Sequence, residues 1–256
     1  MSVYNDATYL SQAIDSILNQ SFCDFEFLIF NDGSTDDSKE ILEEFAKKDN
    51  RIKLVHQENI GLTKTLNRGL SMARGEYIAR MDSDDIATHD RLEKEINFLD
   101  NHKDVVVVGS FTRVIDENGK VVGSHQPAVT NKDILKFSFF SGQLAHPSVM
   151  FRKKEILELG GYDESVKYAQ DADLWFRVMN KYKVANIPEY LLLWRKTQSG
   201  IGTEKLKEQM AYAQKAKVQA IQNGLYPKFY FIFLIWPYLR GFIPQGLKEF
   251  FKKLLK

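Results

Sequence analysis

The strongest constraint on this chain is the way its apolar residues switch period, again and again, along the first third of its length. Leu10, Ala13, Ile14, Ile17 and Leu18 fall at i, i+3, i+4, i+7 and i+8, a single helical stripe that Asp6 or Thr8 can cap. Residues 25–30, Phe-Glu-Phe-Leu-Ile-Phe, then read as a strand that must turn at Asn31-Asp32-Gly33-Ser34. A second amphipathic helix over 36–48 follows, with Ile41, Leu42 and Phe45 on its buried face. Residues 52–56 form another strand-like run, 62–74 a third helix closed by Gly75, and 76–81 a short buried strand. Strand and helix therefore alternate. That order predicts an α/β fold, a mostly parallel central sheet covered by helices on both faces, with ligands at the carboxyl ends of the strands.

Two acidic clusters stand at such strand ends, Asn31 to Asp36 and Asp82-Ser83-Asp84-Asp85. The second places three carboxylates side by side, and like charges at that spacing raise one another's pKa unless a positive partner joins them. A hard divalent cation, Mn²⁺ or Mg²⁺, is the natural partner, since it takes carboxylate and phosphate oxygens. The plainer alternative is helix capping, with Asp90-Arg91-Leu92 as a later helix start. For Asp32 the plainer alternative is an Asx-turn, which Asp-Gly favours without a ligand.

Several ordered motifs carry a family resemblance over about the first 200 residues. They are Ser2-Val3-Tyr4-Asn5, the stretch from Asn31 to Asp36, Asn59-Ile60-Gly61, Asn67-Arg68-Gly69 and the DXD-type run Asp82-Ser83-Asp84-Asp85. His146-Pro147-Ser148, Gly160-Gly161-Tyr162-Asp163 and Gln170-Asp171-Ala172-Asp173-Leu174-Trp175 follow. In these the chain resembles the family 2 glycosyltransferases, which have the GT-A type of nucleotide-diphospho-sugar transferase fold. The resemblance implies transfer of one sugar, with inversion, from a nucleotide-sugar donor such as a UDP-sugar to a hydroxyl of a glycan or lipid-linked acceptor. It further implies that Asp32 contacts the uracil, that Asp82 contacts the ribose, and that Tyr4, Asn5 and Asn59 belong to the same nucleotide site. Asp84 would hold the metal on the diphosphate. Asp171 would be the general base that takes the acceptor proton, and Asp85, His146 and Asp173 would serve the acceptor side or support the site. The plainer reading of Asp171 and Asp173 is that acids favour a helix start.

Three features depart from the family pattern. Relatives usually carry more apolar residues ahead of Met1, forming the first, central strand, so that strand reads as truncated. Leu66 precedes Asn67 where relatives often have Arg, and Thr197 stands two residues past Arg195 where they often have His. The Gln-x-x-Arg-Trp motif of processive synthases is absent, which points to single-sugar addition. Asp116 to Lys120 contains Asn-Gly between apolar runs, a hairpin signal with no chemistry assigned.

Beyond Gly202 the character changes. Residues 204–223 read as a charged helix with Leu206, Met210, Ala213 and Val218 as its stripe, ended by Gly224. The aromatic run 229–236 is too short to span a bilayer, which needs about 20 apolar residues, while 247–256 puts Leu and Phe on one face and Lys on the other. The expected division is a catalytic domain over 1–202 and a helical, basic amphipathic extension over 203–256. Peripheral membrane association is expected through 229–256, on the cytoplasmic face. A net charge of +1 gives no argument for nucleic acid. The single Cys23 suits a reducing compartment, and no secretory signal opens the chain. Two other activities fit the same clusters: a sugar-nucleotide nucleotidyltransferase, and a phosphoacceptor domain. A non-catalytic partner subunit is the third alternative.

Overall fold

A computed structural model describes residues 1–197 and 203–234. The first half follows the expected alternation: β1 (Ser2–Val3), α1 (Ala7–Leu18), β2 (Phe27–Asp32), α2 (Ser38–Lys48), β3 (Ile52–Gln57), α3 (Leu62–Met72) and β4 (Tyr77–Ala79). Then come β5 (Ile86–Ala87), α4 (Arg91–Asn101), β6 (Val105–Ile115), β7 (Val121–His125) and α5 (Asn131–Ser138). The remainder is β8 (Met150–Arg152), α6 (Lys153–Glu158), α7 (Gln170–Met179), β9 (Lys183–Arg195), α8 (Thr203–Gln222) and α9 (Phe231–Leu234).

The helical stripe of α1 is buried as its spacing requires, at Leu10, Ala13, Ile14 and Ile17. Its cap comes from elsewhere: the Ala7 N–H donates to Asp36 Oδ2 at 3.0 Å, and the Asp6 N–H donates to Ser38 Oγ at 3.1 Å. Gly75 does not close α3. The helix stops at Ala73, whose backbone is extended, because the Arg74 N–H is taken by Glu26 Oε1 at 2.6 Å. The Asn118-Gly119 hairpin forms, with Gly119 at φ +80° and Asp116 Oδ1 accepting from the N–H groups of Asn118 and Lys120.

The sheet corrects the expectation of a mostly parallel arrangement. Strands β1-β2-β3 pair in parallel, as do β6 and β9, but β4 with β8, β8 with β6, β6 with β7 and β5 with β9 are antiparallel. The cause lies in the second half, where β7 returns by a hairpin and β8 and β9 re-enter the sheet beside strands laid down far earlier, β8 antiparallel to β4 and β6, and β9 antiparallel to β5. Strands β6 and β9 run together from Val105 to Ile115 and from Lys183 to Arg195, and form the backbone of that half. Around them Val107, Leu174, Val178 and Val184 are fully buried, and Ala216, Ala220 and Ile221 bring α8 into the same core. The stripe expected for α8 is therefore wrong in part, for Leu206 and Met210 are 48% and 46% exposed. Small residues let α8 lie close on α7, and the larger ones sit on its early turns, facing away.

Strands β1 and β4 are the edges of two separate sheets, and a cavity of about 1010 Å³ lies between them. Met1, Phe27, Leu28 and Phe30 line one side, Tyr77 to Met81 the other, with Leu70 of α3 and Arg91 and Leu92 of α4 as further walls. The Met1 amine donates to the Leu28 carbonyl at 2.9 Å, and burial lowers its pKa to about 5.

At the end of the described chain, Tyr230 and Phe233 pack on Phe139 and Phe140, while Phe229 and Ile232 are 59% and 69% exposed. Among the described residues no helix is long and apolar enough to cross a membrane. The expected basic helix over 247–256, and the end of the 229–236 run, lie outside the described residues.

Candidate active site

Asp32 of the first cluster is held by β3 and the loop that follows it, whereas Asp36 is turned to α1. Asp32 is buried at the end of β2; its Oδ1 accepts from Gln57 Nε2 at 2.7 Å and the Ile60 N–H at 2.9 Å, and its Oδ2 accepts from the Gly61 N–H at 3.0 Å. Gly33, at φ +76°, is needed there, since a Cβ would stand 2.8 Å from the Asn59 backbone nitrogen. Asn59 is thereby packed against the Asp32 turn, with its own residue exposed. Tyr4 is 53% exposed, and Asn5, at φ +54°, accepts from the Thr35 N–H at 2.7 Å. Tyr4, Asn5, Asp32 and Asn59 thus frame one end of the parallel sheet. Arg68 enters as well: its guanidinium donates to Gln57 Oε1 at 2.7 Å, and Gln57 in turn holds Asp32. Leu66, in the place where relatives often have Arg, lines the cavity instead.

The second cluster is tighter. Asp82, Asp84 and Asp85 each offer an oxygen within 4.8 Å of the others. Burial, then the charges of Asp82 and Asp6, push the Asp84 carboxyl up to about 6. Asp85 is pushed up by the same two effects, burial and its acidic neighbours. Asp85 Oδ1 accepts from the Arg195 N–H at 2.8 Å, but its Oδ2 is buried without a hydrogen-bond partner. A sealed carboxylate oxygen with nothing to bind, beside two further carboxylates, suits a hard divalent cation, which takes such oxygens as ligands. Asp6 joins this neighbourhood, hydrogen-bonded to Ser83 and raised by burial.

Two arginines flank the loop. Arg80 pairs with Asp82, and its Nε and Nη1 are buried without partners. Its charge is also felt by Asp84, Asp171, Tyr162 and His146, so these groups share one electrostatic field. Arg195, from the end of β9, binds the Asp84 carbonyl. Neither arginine carried a signal of its own in the sequence; each is defined by contacts made after folding.

Asp171 sits in the first turn of α7, behind Ala169 at φ +56°. Burial raises its carboxyl, while the Ala172 N–H and Arg80 pull the other way. Asp173, two residues on, is turned to Arg177, whose Nε donates to Oδ2 at 2.9 Å and which also holds the Leu159 and Gly161 carbonyls. Its contacts are therefore those of a support for the Gly160-Gly161 turn. His146 is buried; its Nε2 lies 2.8 Å from the Tyr162 hydroxyl and its ring meets the Trp175 ring at 5.9 Å. Burial and Arg80 hold its pKa well below 6.5, so it stays neutral, again a supporting geometry. Tyr162 is pinned through its backbone to the Asn67 amide at 2.8 and 2.9 Å.

Three comparisons bear on this arrangement. The family model described as glycosyl transferase family 2 matches residues 1–160. An uncharacterized glycosyltransferase of Methanocaldococcus jannaschii is 37% identical over 218 residues, covering 83% of this chain and 75% of that protein. An O-antigen biosynthesis glycosyltransferase of Escherichia coli is 36% identical over 199 residues, covering 76% and 77%. Among solved structures, S. aureus TarS in complex with UDP superposes with a TM-score of 0.68 at 19% identity, covering 96% of this chain and 75% of that one. That likeness carries the GT-A fold.

Proposed function

The chain belongs to glycosyl transferase family 2, and from that premise we propose an inverting, metal-dependent transfer of a single sugar. The donor is a nucleotide-sugar, read as a UDP-sugar, and the acceptor is a hydroxyl of a glycan or lipid-linked glycan. The setting is assembly of a surface polysaccharide, as the O-antigen biosynthesis role of the E. coli relative suggests. One observation carries the reading: three carboxylates converge, one with an unpartnered buried oxygen, in the electrostatic field of the arginine that also reaches Asp171.

In this reading Asp32, Asn59, Tyr4 and Asn5 bind the nucleoside, Asp82 binds the ribose, and Asp84 with Asp85 holds Mn²⁺ or Mg²⁺. Bound there, a divalent cation stabilises the charge that develops on the leaving diphosphate. Asp171 takes the proton from the acceptor hydroxyl as that oxygen attacks the anomeric carbon, and its raised proton affinity, with burial as the cause, suits a base. Residues 1–202 form the catalytic domain. Residues 229–256 bring the enzyme to the cytoplasmic membrane surface, a role supported by the exposed Phe229 and Ile232 and by the Lys-rich end of the sequence. Binding to anionic but not neutral liposomes tests that role, and a protein that ignores both would refute it.

Calorimetric titration of UDP, with and without Mn²⁺, on wild type and Asp84→Ala tests the donor site. Metal-enhanced binding in wild type that disappears in Asp84→Ala is the expected outcome; equal binding in all four titrations sinks the metal assignment. Asp171→Asn should keep UDP binding and lower kcat by about 10²- to 10⁴-fold, the usual share of a general base. A variant that turns over normally would remove Asp171 from that role.

A further inference from the structure

We propose that Arg195 is the positioning residue of the acidic loop: it holds Asp84 and Asp85 in the arrangement that receives the cation, and ties that arrangement to α1 and to the β6–β7 hairpin. The inference rests on the metal reading above. Arg195 is 4% exposed and closes β9. Its own N–H donates to Asp85 Oδ1 at 2.8 Å, and its Nε donates to the Asp84 carbonyl at 2.8 Å, so one residue grips two consecutive acids. Nη1 donates to the carbonyls of Asp116 and Glu117, at 3.2 and 3.3 Å, which form the hairpin turn. Nη2 donates to Gln12 Oε1 at 3.0 Å, and the guanidinium lies 4.2 Å from the centre of the Tyr9 ring, both on α1.

The chemistry of this cluster explains why a guanidinium stands there. Three carboxylates within 4.8 Å repel and would spread if the loop were free. A planar fork can satisfy groups on three elements in fixed directions, which the single ammonium of lysine cannot do. Only Asp85 Oδ1 is engaged by this grip, and Oδ2 is left over for a ligand. The hairpin, which the sequence marks only as a turn, thereby becomes part of the frame of the site.

The test is direct Mn²⁺ binding, followed by electron paramagnetic resonance at saturating UDP, on wild type, Asp84→Ala, Arg195→Lys and Arg195→Ala. UDP affinity without metal is measured beside it. Arg195→Ala should weaken Mn²⁺ binding by about 10- to 100-fold, the usual effect of removing a group that orients metal ligands, and leave metal-free UDP affinity as in wild type. Millimolar guanidinium should restore part of the Mn²⁺ affinity of Arg195→Ala. Arg195→Lys, which keeps the charge without the fork, should fall between the two. Mn²⁺ affinity in Arg195→Ala equal to wild type overturns the proposal. So does a loss of metal-bound and metal-free affinity together that guanidinium does not repair, since that is general collapse. Should Arg195→Ala not fold, Arg195→Lys decides by the same criteria. If Asp84→Ala also binds Mn²⁺ like wild type, the metal reading itself has failed, and that outcome is separate from a failure confined to Arg195.

Discussion

Arg195 and Arg80 hold different residues of the same acidic loop, and both are nearly sealed from water, at 4% and 7% exposure. Arg195 donates to four side-chain or backbone oxygens through its guanidinium, whereas Arg80 reaches Asp82 and leaves Nε and Nη1 unpartnered. What lies behind each explains the difference. Behind Arg195 the strands β5, β9 and β6 pair side by side, and Ala87 of β5 and Leu192 of β9 are buried against Leu10 and Ala13 of α1. Behind Arg80 is the cavity between β1 and β4, where a buried amine and the Arg91–Glu95 pair also sit. Glu95 Oε2 has no partner there, and burial pushes its carboxyl up to about 7. An unpartnered buried polar group costs about 1–3 kcal/mol; the hollow flank carries three such atoms, on Arg80 and Glu95, and the β9 side has Asp85 Oδ2 and Thr112 Oγ1. The acids therefore owe their geometry mainly to the β9 side, where Arg195 grips both Asp84 and Asp85.

The largest expected effect tests whether the two flanks differ in packing. Leu192→Ala, on β9 in the filled flank, should cost about 4–5 kcal/mol, the upper part of the range for such truncations. Ile17→Ala, at the cavity wall, should cost about 2 kcal/mol, because fewer neighbours lose contact. Urea unfolding of both variants reads the difference. Equal costs would mean that the cavity wall is as well packed as the core.

A smaller effect concerns the amine. Its folded pKa of about 5 lies below the ordinary 8.0, so the unfolded chain takes up the proton first. Its contribution is full above pH 8 and is lost as pH falls toward 5, by at most ~1.4 kcal/mol per pH unit. His146 acts in the same direction below 6.5, since it too is held neutral by burial. An apolar extended segment fused ahead of Met1 replaces the amine with a peptide bond and offers side chains to the cavity. The fusion should raise stability by roughly 2 kcal/mol at pH 7, after the entropy of ordering the segment is set against its burial. It should also remove the slope between pH 8 and 6.5 and leave the part due to His146. Thermal unfolding at three pH values separates these, and an unchanged slope would mean that the amine is not buried as described.

Much of the first half was legible because its signals are local. The Leu10-Ala13-Ile14-Ile17 stripe and the Asn118-Gly119 turn need only near neighbours to form. The acids were legible as types at strand ends. Their partners were not: Arg195 meets Asp85 across 110 residues of sequence, and Asp36 caps a helix 29 residues before it. The parallel pairing of β6 with β9 is likewise long-range, and the antiparallel returns around it broke the expectation set by the alternating first half. Asp173 looks like Asp171 in sequence, yet Arg177 one turn along the helix claims it. Residue type marks a candidate, and only the far side of the fold says which candidates are already occupied.

The smallest expected effect is the sharpest test of the two arginines. Arg80→Met removes two unpartnered donors and lengthens no cavity wall, while Asp82, with a side chain 35% exposed, can turn to water. Exchange of a whole buried ion pair for apolar side chains is often neutral, whereas loss of one partner costs more; because Asp82 is partly exposed, Arg80→Met should cost about 1 kcal/mol, below the figure for a fully buried pair. Arg195→Met should instead cost about 2–3 kcal/mol, since it takes the donors from the Asp84 carbonyl and Gln12 Oε1 and cuts the link to the hairpin. Chemical denaturation of the two variants under one condition gives both numbers. If Arg80→Met costs as much as Arg195→Met, then water in the cavity satisfies the Arg80 donors, and the two flanks of the acidic loop are equally complete.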